Sequence, residues 1–182
     1  MNKKMWVMVI ALVIVAAGTY VFFGQQKNAV APTVAAFDPA NATYYIDSQP
    51  VALVDGNAQV AAAPGSAEQV ATSIFGIPVS GDLNGDGRPD AAVMLVQDSG
   101  GSGTFYYVAA AINATSGAEG SNAILLGDRI APQTIAIQNG QIVANYADRN
   151  PGEPMSAAPS LGVTKYLVYR GATLEEASST GE

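Results

Sequence analysis

Two runs near the middle of the chain, "DAAVMLVQ" (residues 90–97) and "TFYYVAAAIN" (104–113), constrain the fold more than any other feature. Both are apolar on consecutive positions, where a half-exposed strand would alternate, and they read as central strands covered on both faces. The "DSGGSG" between them offers only small, turn-forming residues.

Hairpin signals flank this pair. In "VALV-DG-NAQV" the turn falls on Asp55 and Gly56, and in "TIAIQ-NG-QIVANY" on Asn139 and Gly140. Asp-Gly and Asn-Gly supply the positive φ angles that two-residue turns demand. "KYLVYRGATLEE" offers a last hairpin. "GSAEQVATSIFG" is divided: Ser66 and Gln69 are spaced as a capping box, whereas Val70, Thr72, Ile74 and Phe75 favour a strand, and the strand is the expectation. No segment repeats at a fixed period. Strand signals recurring every 8 to 12 residues or so point to an all-β domain, a compact antiparallel sandwich or open barrel. It is expected over residues 43–176, after a linker at 24–42 rich in Ala, Gln and Pro and before a flexible polar tail at 177–182.

The N-terminus carries Lys3 and Lys4 and then 19 uncharged residues, Met5 to Phe23. As a helix at about 1.5 Å per residue these span about 28 Å, close to the ~30 Å hydrocarbon thickness of a bilayer. The expectation is a transmembrane signal anchor at 5–23, with residues 1–4 in the cytoplasm and the C-terminal domain extracytoplasmic, although Lys27 on the far side weakens that bias. A cleaved signal peptide is the competing reading. Its small-x-small sites, Ala29-Val30-Ala31 and Thr33-Val34-Ala35, lie well beyond Phe23, and Pro32 would follow the first cut directly. Lipid attachment through cysteine is excluded, because the chain has none.

Charge and residue inventory narrow the function further. All 15 acidic residues lie after Asn28, where Arg88, Arg129, Arg149, Lys165 and Arg170 are the only cations, so that part carries −10. Such a surface repels nucleic acid and anionic lipid. Without cysteine or histidine there are no thiolate nucleophiles, imidazole bases, disulfides or ordinary zinc ligands.

One motif carries chemistry. "GDLNGDGRPD" sets Asp82, Asn84, Asp86 and Asp90 around three glycines. Counting Asp82 as position 1, oxygen side chains fall at 1, 3, 5 and 9, Gly87 at 6 supplies the sharp turn, and Arg88 at 7 offers a backbone carbonyl. Position 12 is Val93, so the bidentate glutamate of a helix-loop-helix site is missing and an apolar strand follows instead. The alternative is a polar turn whose Asx side chains cap backbone amides. Against it, two carboxylates about 5 Å apart repel by roughly 1 to 3 kcal/mol at effective dielectrics of ~80 to ~20. The Arg88 side chain is expected to point away. Mixed carboxylate, amide and carbonyl oxygens suit calcium better than magnesium.

This loop resembles that of the FG-GAP (integrin-α-like) repeats, where Asp-x-Asx-x-Asp-Gly-x-x-Asp bridges two β-strands. The resemblance implies side-chain ligation by Asp82, Asn84, Asp86 and Asp90 and carbonyl ligation by Arg88. It does not extend to the propeller those repeats build, since this chain has one such loop. More broadly, "GDLNGDG", "DSGGSGTFYY", "GDRIAPQT" and "NYADR" followed by "PGEPM" resemble segments of a group of small exported bacterial proteins, over roughly Thr43 to Leu174. That likeness implies a shared fold and brings no activity.

Other candidates are weaker. The pairs Asp128-Arg129 and Asp148-Arg149, with Glu153 nearby, could line an anion cleft or form ordinary loop salt bridges. Among seven domain tyrosines, one member each of Tyr44-Tyr45 and Tyr106-Tyr107 must face outward, as a sugar-stacking row or as cross-strand pairs. Ser160 and Lys165 do not match Ser-x-x-Lys, and Asp148 with Glu153 is the one carboxylate pair outside the loop that a hydrolase could use. The expected function is therefore a non-catalytic envelope binding module with one structural calcium ion. A glycan-binding module and a small hydrolase are the alternatives.

Overall fold

A computed structural model describes residues 36–177, and over them the protein is all-β, with no α-helix. The anchor expected at 5–23 lies outside the described residues, as do most of the linker and the tail beyond Ala177. No helix among the described residues is long and apolar enough to cross a membrane.

Thirteen strands follow one 3-10 turn, Pro39–Asn41. They are β1 (Thr43–Ile46), β2 (Gln49–Ala52), β3 (Asn57–Ala61), β4 (Gln69–Ile74), β5 (Val79–Gly81), β6 (Asp90–Asp98) and β7 (Thr104–Ala114). Then come β8 (Gly117–Gly120), β9 (Ile124–Asp128), β10 (Ala131–Gln138), β11 (Gln141–Asp148), β12 (Leu161–Arg170) and β13 (Thr173–Glu176). The larger sheet has seven strands in the order β3-β4-β6-β7-β8, with β5 also on β6 and β9 also on β7, and it curls into an open half-barrel. A second sheet runs β10-β11-β12-β13, and β1 and β2 form a separate hairpin. Every strand pairing is antiparallel.

β6 and β7 are the central pair that their unbroken apolar runs require. The alternating faces of β6 serve two separate cores. Ala92 and Met94, with Val108, Ala110 and Ile112 of β7, pack against Ile142, Ala144, Tyr146, Leu167 and Leu174 of the four-stranded sheet. On the opposite face Ala91, Val93 and Leu95, with Tyr107, Ala109 and Ala111, pack against Tyr44, Ile46, Val51 and Leu53 from the β1–β2 hairpin and its exit. The divided segment settles as β4. Phe37 and Ala42, from the end of the segment read as linker, also join the second core.

The turns follow the residue chemistry. Asp55 and Gly56 have φ of 50° and 78°, and Asn139 and Gly140 have 51° and 74°. Asp47 and Ser48, at 49° and 65°, turn the β1–β2 hairpin in the same way without a glycine. Asn122 joins all three pieces of the fold. Its neighbourhood bridges β1, where Ala123 N donates to Tyr45 O at 2.8 Å, and its side-chain amide both donates to Leu174 O (2.8 Å) and accepts from Leu174 N (2.7 Å).

Candidate metal loop

Residues 82–89 connect β5 to β6, and the pairing of Gly81 with Asp90 closes the loop at its base. The strand pair thus fixes both ends. Gly85 and Gly87 take φ of 79° and 80°, a region that side chains avoid, which lets the backbone fold back over the Asp82 carboxylate.

The five expected ligands meet in this loop, but their oxygens face protein donors. Asp82 accepts from Gly85 N at 2.7 Å through Oδ1 and from Gly87 N at 2.9 Å through Oδ2. Asn84 Oδ1 accepts from Asp86 N at 2.9 Å, and Asp86 Oδ1 accepts from Arg88 N at 2.8 Å. These are Asx turns in series. The expectation that the Arg88 side chain points away is wrong: its guanidinium folds back and donates to Asp86 Oδ2 from Nη2 at 2.7 Å and from Nε at 3.1 Å. The repulsion among carboxylates explains the reversal, because the loop's own cation is the nearest available relief. The bonds from Arg88 hold the Asp86 carboxyl down at about 2.

Asp90 differs from the others in being fully buried. Its Oδ2 accepts from Leu83 N at 2.9 Å and its Oδ1 from Asn113 N at 2.8 Å, so one carboxylate ties the loop to β6 and to the end of β7. Asn113 Nδ2 also donates to Pro89 O. Among the described residues, no three carboxylates stand close enough together to hold a metal ion as placed. The donor types suit a hard cation. Convergence on one would require the Asp86 and Arg88 side chains to separate and carboxylates to swing from their amides.

The remaining candidates are scattered. Asp128 and Arg129 pair at 3.1 Å, which lowers the Asp128 pKa, and Asp128 also caps Thr104 N. Arg149 does not pair with Asp148. Its guanidinium donates to the carbonyls of Ala157 (2.8 Å), Arg129 (3.1 Å) and Asp128 (3.3 Å), stapling two loops together. Asp148 and Glu153 each accept from a neighbouring backbone amide, those of Arg149 and Asn150. Tyr44 and Tyr107 are buried, and burial raises the pKa of both, with Tyr44 OH donating to Pro39 O. Tyr45 and Tyr166 are exposed, on the hairpin and on the four-stranded sheet respectively, and Tyr106 meets Phe75 edge to face at 5.4 Å. Sequence reasoning missed the role of Asn113, which carries no spacing signal. No family model, curated protein or solved structure matches the chain.

Proposed function

We propose that the protein is an extracytoplasmic, membrane-anchored binding module, non-catalytic, whose β5–β6 loop takes up one structural calcium ion. The observation that carries the calcium reading is the loop itself: oxygen-bearing side chains at four odd-spaced positions, from Asp82 to Asp90, with both ends clamped by strand pairing. Asp82, Asn84, Asp86 and the Arg88 carbonyl would hold the ion, and Arg88 would have to release Asp86. Asp90 is the costliest ligand of the five, since it is fully buried and ligation would take it from the amides of Leu83 and Asn113. The Arg88–Asp86 pair favours one rival reading, a loop stabilised by its own cation.

The test is a melt of the full chain in detergent, in chelator and in millimolar calcium or magnesium. Extracellular modules bind calcium at roughly 10⁻⁴ to 10⁻³ M. At free calcium about 100 times the dissociation constant the stabilisation is about 2.7 kcal/mol, several degrees in melting temperature. Asp86→Ala abolishes the shift. A wild type indifferent to calcium sinks the metal reading and leaves the Arg88-neutralised turn.

A further inference from the structure

β2 and β3 begin as a hairpin and then come apart. Val54 and Asn57 exchange both backbone bonds (Val54 N to Asn57 O, 2.8 Å; Asn57 N to Val54 O, 3.1 Å), after which, among the described residues, β2 pairs only with β1 and β3 only with β4. Backbone groups alternate along a strand. Since Asn57 directs its N–H and C=O away from β4, so do Gln59 and Ala61. Since Leu53 N bonds to Ala42 O and Val51 pairs with Tyr44, Ala52 and Pro50 turn their backbone groups away from β1. Two unpaired edges therefore flank the gap. Pro50, which has no N–H to leave unsatisfied, sits where an edge tolerates it. The gap is a cleft of about 510 Å³ whose walls include Val51, Val60, Ala62 and Val70, with Asp47 at the hairpin end.

Asp47 is the one charged residue among the described residues that line the cleft. An occupant that satisfies an edge row of backbone donors and acceptors is an extended polypeptide. One that places a charge beside the Asp47 carboxylate is cationic.

The geometry points to strand addition: the free edge of β3 beside the cleft receives an extended, Lys/Arg-bearing segment of a partner protein, bonded through its backbone to Gln59 and Ala61, with a cation beside Asp47. This rests on the reading of the protein as a binding module and names the chemistry of the partner.

The experiment follows amide hydrogen exchange of the full chain in detergent, with a synthetic Lys-Val-Lys-Val-Lys-Val peptide and its Glu-Val counterpart as probes. At about ten times its Kd, the cationic peptide slows exchange at Gln59 and Ala61 roughly tenfold, and added salt weakens the effect. Gln59→Pro removes an N–H that β4 does not use, so it leaves the β3–β4 ladder intact and abolishes the protection. Asp47→Asn suits the positive φ at that turn and weakens binding. Four results overturn the proposal: no protection by the cationic peptide at millimolar concentration, protection elsewhere, equal protection by the Glu-Val peptide, or concentration-dependent protection without peptide, which would assign the cleft to a second copy. The broader reading is checked by pull-down from envelope extract. If Gln59→Pro captures the same partner as the wild type, the module reading stands and the cleft proposal falls; if neither captures anything, the module reading itself fails.

Discussion

Replacing Asp90 by alanine separates two roles that one carboxylate could have. Its two oxygens hold Leu83 N at 2.9 Å and Asn113 N at 2.8 Å, and the side chain is fully buried. A hydrogen bond to a charged acceptor contributes about 1.5 to 3 kcal/mol, and a buried donor left without a partner costs about 1 to 3. Leu83 is buried, so its amide bears the full penalty, whereas Asn113 is half-exposed and water replaces part of its bond. Deleting a buried charge also removes its desolvation cost. The net loss is about 2 to 4 kcal/mol, or roughly 5 to 15 °C in melting temperature for a domain of this size. Asp90→Asn, which keeps one acceptor and turns an N–H₂ toward the other amide, falls between. The assay is urea denaturation of the full chain in excess chelator, which removes any contribution from a bound ion. Equal midpoints for wild type and Asp90→Ala would show that the carboxylate does not clamp the loop and that its role begins only with metal.

Gly140→Val places a β-branched side chain at φ of 74° and should cost about 1 to 3 kcal/mol, read as a lower midpoint with unchanged m-value. Asp86 titrates at about 2 because Arg88 bonds it, below its ordinary 3.8. A depressed carboxylate stabilises the fold above the unfolded value and loses that contribution as pH falls from about 3.8 to about 2. In chelator, Arg88→Ala should return Asp86 toward its ordinary pKa, seen by carboxyl NMR, and should leave stability at neutral pH nearly unchanged, because the pair is exposed. A pKa that stays near 2 in the variant would mean that the loop amides, not Arg88, set it.

Local chemistry made much of this fold legible in the sequence. Asp55-Gly56 and Asn139-Gly140 announce their turns because few residue pairs take two positive φ angles, and the unbroken apolar runs of β6 and β7 announce double burial. The Asp47-Ser48 turn is silent, since neither residue is a strong marker of the left-handed region and the surrounding core holds it there. Side-chain partners are also silent. Asp148-Arg149 reads as an ion pair by adjacency, yet the guanidinium is drawn to the Ala157 carbonyl of its own loop and to those of Asp128 and Arg129 some twenty residues away. The reach of Arg88 back to Asp86 depends on how sharply Gly87 turns the backbone, which composition does not specify.

The amide of Asn122 bears on the order in which the chain assembles. The β6–β7 and β10–β11 hairpins close over short loops and can form early, but Asn122 meets Leu174 across 52 residues of sequence. Loop-closure entropy delays such a contact relative to those local pairings. If its bonds form after the rate-limiting step, Asn122→Ala accelerates unfolding while leaving the folding rate almost untouched, which a chevron plot checks. Such a residue is a kinetic latch: it governs how long the native state lasts and has little say in how quickly it is reached.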